Sequence, residues 1–118
     1  MRHLQGTADT LYQGIRDLPI VSPHGHCDPA WFARNTAFSN PADLLVKPDH
    51  YVFRMLYSQG IPLENLGVGV AGQEADPRKV FHIFAAHWHS FLGTPSRVWI
   101  EYVMRETMGI KVELSVET

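Results

Sequence analysis

Apolar residues recur along this chain mostly at the three- and four-residue intervals of helices. Residues 9–18 (DTLYQGIRDL) place Leu11, Ile15 and Leu18 on one face and predict a short helix, weakened by Gly14 and ended by Pro19. Ile20-Val21-Ser22 then reads as a brief buried strand, 20–23, running into Pro23-His24-Gly25-His26.

Beyond that strand the pattern is helical almost throughout. Asn40-Pro41 and Asp49 are N-cap signals, opening a short turn at 41–46 and a helix at about 50–59 closed by Gly60. Asp76-Pro77 opens a longer helix, 77–92, whose apolar set is Val80, Phe81, Phe84, Ala85, Trp88, Phe91 and Leu92, with Gly93 as its stop. Thr94-Pro95 starts the next, with Val98, Trp99, Tyr102 and Val103 as the expected buried stripe and Gly109 as its C′ residue. The Gly- and Pro-rich stretch 62–75 reads as a loop holding one turn at 63–66.

One strand followed by about eighty helical residues is an odd whole domain, since a lone strand has no sheet to join. Ser115 also looks like the N-cap of a helix that does not follow. Both features are expected of the opening of a larger α/β domain.

Composition narrows the classes. Apolar residues make up 45% and charged residues 19% of 118, the balance of a globular chain rather than a disordered one. Ten basic and twelve acidic residues, with neither sign gathered into a block, argue against a nucleic-acid binder. Uncharged stretches are broken by Pro, His and Gly, so no membrane span is expected. No charged-then-apolar leader is visible and Cys27 is the single cysteine, so a reducing, cytoplasmic setting is expected.

Seven histidines are the unusual count, and two His-x-His triplets hold four of them. In an extended segment residues i and i+2 point to the same side, so His24 and His26 can converge on one metal ion. Neutral imidazoles suit zinc, manganese or ferrous iron, and further ligands must come from elsewhere. On a helix the same spacing puts side chains about 200° apart, so His87 and His89 are expected to face opposite ways, and both, with His82, to lie at the surface or core edge. Cys27 is expected to point away from the histidines as a small buried thiol.

A second informative stretch is Lys47-Pro-Asp-His-Tyr-Val-Phe-Arg-Met-Leu-Tyr57. Asp49 as N-cap puts His50 and Tyr51 in the first turn, and Arg54 lies four residues on, along the same face as His50. Such a group suits an anionic, hydroxyl-bearing substrate.

Ile20-Val-Ser-Pro-His24-Gly-His26, Pro48-Asp-His50-Tyr51-Val-Phe-Arg54-Met-Leu and Gly93-Thr-Pro-Ser-Arg97-Val-Trp99 together resemble the uronate isomerases, the glucuronate/galacturonate isomerase family of the amidohydrolase superfamily. The resemblance runs from about residue 9 to 118. It implies a metal-dependent (β/α)8 (TIM) barrel in the parent family, of which this chain is the N-terminal part: mostly α-helical, with the strand at 20–23 and a helical insertion at 29–108. The further metal ligands, the substrate-binding arginines and the rest of the barrel lie outside it.

The implied activity interconverts an aldose and a ketose: D-glucuronate with D-fructuronate, and D-galacturonate with D-tagaturonate, through a cis-enediol. His24 and His26 match the metal ligands of the first strand, with zinc the expected ion. His50 matches a substrate-binding position, and Tyr51 a catalytic and substrate-contacting one. Arg54, Arg97 and Trp99 are read as packing or bracing the insertion. A homo-oligomer is expected, and this segment alone is expected to be inactive. Two alternatives are a metal-dependent hydrolase on the same barrel, and a non-enzymatic helical module that docks a partner through its Phe/Trp stripe.

Overall fold

The computed structural model describes residues 2–22, 24–69 and 75–118. Six α-helices follow one another: α1 (Arg2–Gln13), α2 (Pro29–Arg34), α3 (Pro41–Leu45), α4 (His50–Ser58), α5 (Pro77–Ala86) and α6 (Pro95–Tyr102). Short 3-10 turns lie at Leu63–Leu66 and Trp88–Phe91, and Val103–Thr107 widens into a π-helix.

The helix starts obey local chemistry. Asp28, Asn40, Asp49, Asp76 and Thr94 each accept a hydrogen bond from a backbone N–H two or three residues ahead, which satisfies a donor that has no partner inside the helix. Proline follows the cap in α2, α3, α5 and α6, where its missing N–H costs nothing. Gly60, Gly93 and Gly109 take positive φ after helical segments, as the stop signals required. The turn expected at 63–66 is present as the 3-10 turn.

The predicted strand is absent: residues 20–22 have no regular secondary structure, and Pro23 lies outside the described residues. Ile20 is 94% exposed and Val21 86%, so neither is buried as expected. A strand exists through hydrogen bonds to a neighbouring strand, and none occurs among the described residues. The helix predicted at 9–18 is displaced, with α1 ending at Gln13 and a run of turns following. Its apolar face of Leu11, Ile15 and Leu18 is exposed. No described residue between 4 and 41 is buried.

The core is built by the later helices. Ala42, Leu45 and Val46, around α3, pack with Val80 and Phe84 of α5, and Val52 and Leu56 of α4 join the same cluster. Phe84 sits edge-to-face on Trp88 and Phe91, with ring centroids 5.2 and 5.5 Å apart. We predict that Phe84→Ala destabilises this core by about 3–5 kcal/mol, through lost burial and the cavity left behind. Chemical denaturation followed by circular dichroism measures it; a loss below about 1 kcal/mol would show the cluster to be malleable.

Two helical expectations are corrected. The helix expected over 77–92 stops at Ala86, where the His87 ring bonds its Nδ1 to the Ile83 carbonyl oxygen at 2.9 Å. Trp88 and Phe91 are still buried, now through the 3-10 turn, whereas Leu92 is exposed. Most of the stripe expected from α6 faces outward: Val98 is 69% and Tyr102 59% exposed and Val103 is half-buried, while Ile100 of α6 and Met104 of the π-helical turn enter the core. Apolar residues lie on more than one face of α6, so periodicity does not select the buried one.

Arg97 ties the chain beyond α6 to the helical core. Its guanidinium lies 4.7 Å from the Trp88 ring centroid, donates to Glu101 at 2.6 Å and Glu113 at 2.8 Å, and reaches the Trp88 carbonyl at 3.3 Å. Desolvation opposes its charge, but the bonds to Glu113 and Glu101 outweigh that and raise its pKa. Arg97 therefore braces the fold, as expected. Ser115 starts no helix, although its hydroxyl accepts the Glu117 N–H at 3.2 Å in the manner of a cap.

Candidate active site

Four side chains singled out from the sequence meet at one place. His24 and His26 lie on the irregular segment before α2, while His50 and Tyr51 open α4. The Asp49 carboxylate accepts the Tyr51 N–H at 2.8 Å, which starts α4 at His50 and sets both side chains on its first turn. On the other segment the Ser22 hydroxyl donates to the His24 carbonyl at 2.6 Å, and the Asp28 carboxylate accepts the Ala30 N–H at 2.9 Å to begin α2. The histidine segment is thereby held between two local hydrogen bonds.

The ring geometry is close. Nε2 of His24 and Nε2 of His26 are 3.0 Å apart, with the rings edge-to-face at 79°. The other nitrogen of His26, Nδ1, is 3.2 Å from Nδ1 of His50, and these two rings stack with centroids 4.6 Å apart. Tyr51 lies nearly parallel to His26, 8° between planes and 5.9 Å between centroids, and 4.2 Å from His50. Residues 24 and 26 therefore converge although they are not in a strand. The alternation of side chains expected of an extended chain is kept, while the ladder is absent. A Cβ at Gly25 would meet nothing within 4 Å, so close backbone approach does not explain that glycine.

The nitrogen spacing suits a shared cation. Two imidazole nitrogens each ~2.0–2.1 Å from one zinc ion lie roughly 3.3 Å apart at a tetrahedral angle, and closer at a right angle. The 3.0 Å between the two Nε2 atoms falls in that range. Among the described residues no group of three or more His, Cys, Asp or Glu could hold a metal ion.

A cavity of about 380 Å³ adjoins the cluster, lined by His26, Asp49, Tyr51, Trp31, Leu44 and Trp99 among others. Trp31 and Trp99 are the residues that sequence reasoning missed here. Trp99 was read as packing the insertion, and the only signal that could have moved it was its place in the Gly93–Trp99 motif. Cys27 is exposed and also lines this cavity, which corrects its expected burial. Its segment packs against too little of the chain to bury a side chain.

Two other expectations fall outside the cluster. Arg54 is exposed on α4. His87 and His89 do not face opposite ways: their rings are 6.3 Å apart and 25° from parallel, because the α-helical period ends at His87. They lie at the core edge, His87 half-buried and His89 exposed, as does exposed His82 on α5. No helix among the described residues is long and apolar enough to cross a membrane.

Comparison with known proteins extends these observations. The glucuronate isomerase family matches residues 3–118. A uronate isomerase of Sphingopyxis alaskensis is 56% identical over 111 residues, covering 94% of this chain and 23% of its own. One from Mesorhizobium japonicum is 50% identical over 119 residues, covering 98% and 25%. The crystal structure of glucuronate isomerase from Caulobacter crescentus superposes with a TM-score of 0.82 at 47% identity, over 93% of this chain and 23% of that one. The chain thus spans about a quarter of the length of the relatives it matches. Because the family match runs over residues 3–118 and a solved relative at 47% identity shares the fold over 93% of the chain, the chain belongs to the glucuronate isomerase family.

Proposed function

We propose that this chain is the N-terminal segment of a hexuronate isomerase, a metal-dependent (β/α)8 barrel that interconverts D-glucuronate with D-fructuronate and D-galacturonate with D-tagaturonate. The observation that carries the reading is the meeting of His24, His26, His50 and Tyr51 beside a cavity. The uronate isomerases among its relatives and the extent of the match support the same reading.

The reaction moves hydrogen within one molecule. A base takes the proton from C2 of the aldose and returns it at C1, and the proton of the C2 hydroxyl passes to the oxygen on C1, so the C1 aldehyde becomes a hydroxymethyl group and the C2 hydroxyl becomes a ketone. No atom is gained or lost. In this reading His24 and His26 hold a divalent ion, zinc in the first instance. When bound, that ion supplies Lewis-acid polarisation of the oxygens on C1 and C2.

The histidine arrangement then assigns protons. With Nε2 of His26 as a ligand, its Nδ1 carries the ring hydrogen and donates it to Nδ1 of His50 across the 3.2 Å contact. That leaves His50 with its hydrogen on Nε2, as a donor to a substrate oxygen. Tyr51, stacked on His26 and tilted against His50, is positioned to move a proton with its phenol.

The exposed apolar residues of the first forty positions fit the same reading. Leu11, Ile15, Leu18, Ile20 and Val21 are uncovered in this chain, and a barrel completed by the remaining three-quarters of the relatives' length would bury them.

The full-length enzyme carrying this segment, given D-glucuronate, is expected to yield a ketose of unchanged mass. A product heavier by one water, or no product from any hexuronate, would overturn the reading. The 118 residues alone are expected to show no turnover and weak zinc binding, because two imidazoles make an incomplete site. Tight, stoichiometric zinc uptake by this segment in calorimetry would contradict the two-ligand assignment.

A further inference from the structure

The lining of the cavity beyond His26 has a chemistry of its own. Beside His26 and Tyr51 it is formed by Trp31 of α2, Leu44 of α3, Pro48 and Trp99 of α6. Two indoles from distant parts of the sequence therefore border the same space as the candidate catalytic groups. Trp31 is half-buried and held edge-to-face on Phe38, with centroids 4.9 Å apart. Trp99 is 40% exposed and sits on α6, whose Ile100 is anchored in the core. The volume of about 380 Å³ lies within the range of small-ligand pockets, which pair an apolar lining with a few polar groups that fix orientation.

A hexuronate has two kinds of surface. Its hydroxyls and carboxylate need donors and cations, while the C–H groups of its carbon chain form an apolar strip that gains by leaving water for a flat aromatic face. The histidine cluster suits the first surface, and the indoles suit the second.

We propose that Trp99, together with Trp31, is a substrate-binding wall on which the carbon chain of the hexuronate lies while C1 and C2 face the histidine cluster. This rests on the isomerase reading above and adds residues to its site. An indole that contacts carbons remote from the reacting pair holds substrate and transition state alike, so its loss acts on KM and leaves kcat nearly unchanged.

The test uses the full-length enzyme with Trp99→Leu and Trp99→Phe, measuring kcat and KM for D-glucuronate together with bound metal. The expected result is a KM raised on the order of tenfold in Trp99→Leu, a smaller rise in Trp99→Phe, kcat within about threefold of the parent, and unchanged metal content. If Trp99→Leu does not fold, Trp99→Phe carries the test alone. Unchanged KM in the folded variants overturns the proposal while leaving the isomerase reading intact, and so does a fall in kcat or metal content without a rise in KM. A parent enzyme that isomerises no hexuronate removes both.

Discussion

Replacing His24 with alanine in the full-length enzyme is expected to lower hexuronate turnover by about a thousandfold or more. The expectation follows from the metal-ligand proposal and the 3.0 Å between the Nε2 atoms of His24 and His26. Removing one leaves a single imidazole on this segment, and a bound ion would lose both affinity and position. Disturbing a residue that only orients a ligand already reduces affinity or activity about 10–100-fold. Loss of the ligand itself is expected to exceed that. Metal content by elemental analysis should fall in parallel with activity. Full activity with full metal content in His24→Ala would mean that the two rings only pack edge-to-face and bond to one another, and the metal-centred account would be abandoned.

Tyr51→Phe is expected to reduce kcat by about a hundredfold to ten-thousandfold, the usual contribution of a positioned proton-transfer group. The substitution is clean because the ring is held by neighbours. It lies 8° from parallel with His26 and 4.2 Å from His50, and both contacts survive removal of the hydroxyl. The Asp49 cap bonds the backbone N–H of residue 51 and is likewise indifferent to the change. Metal content is therefore expected to stay at the parent level, which separates this variant from His24→Ala. A kcat within about threefold of the parent would remove Tyr51 from the proton path and leave it a ring that packs against the histidines.

The histidine cluster was legible because its parts depend on short-range geometry. Residues i and i+2 of an extended segment share a side, which brings His24 beside His26 even where no sheet forms. Asp49 as a cap sets His50 and Tyr51 on a first turn whatever the rest of the chain does. That the two segments meet, with His26 and His50 3.2 Å apart, was not derivable from either one. Only the resemblance to a family had placed them in one site. The tryptophan wall was missed for a related reason. Trp99 lies on a helix with apolar residues on several faces, and nothing local says which face meets the core and which borders a cavity.

Sequence alone determined where four of the helices begin: Asn40, Asp49, Asp76 and Thr94 bond N–H groups two or three residues away, and Gly60, Gly93 and Gly109 supply backbone angles that other residues resist. These are contacts within one turn of chain, and their energy does not wait for distant partners. The tertiary structure decided the rest. Residues 20–22 have β-branched character but no neighbouring strand to bond, Ile100 and Met104 displaced the expected stripe of α6 from the core, and Cys27 stayed exposed because little of the chain packs over it. Strand formation and burial are properties of pairs of surfaces, and a single segment carries only one surface of each pair.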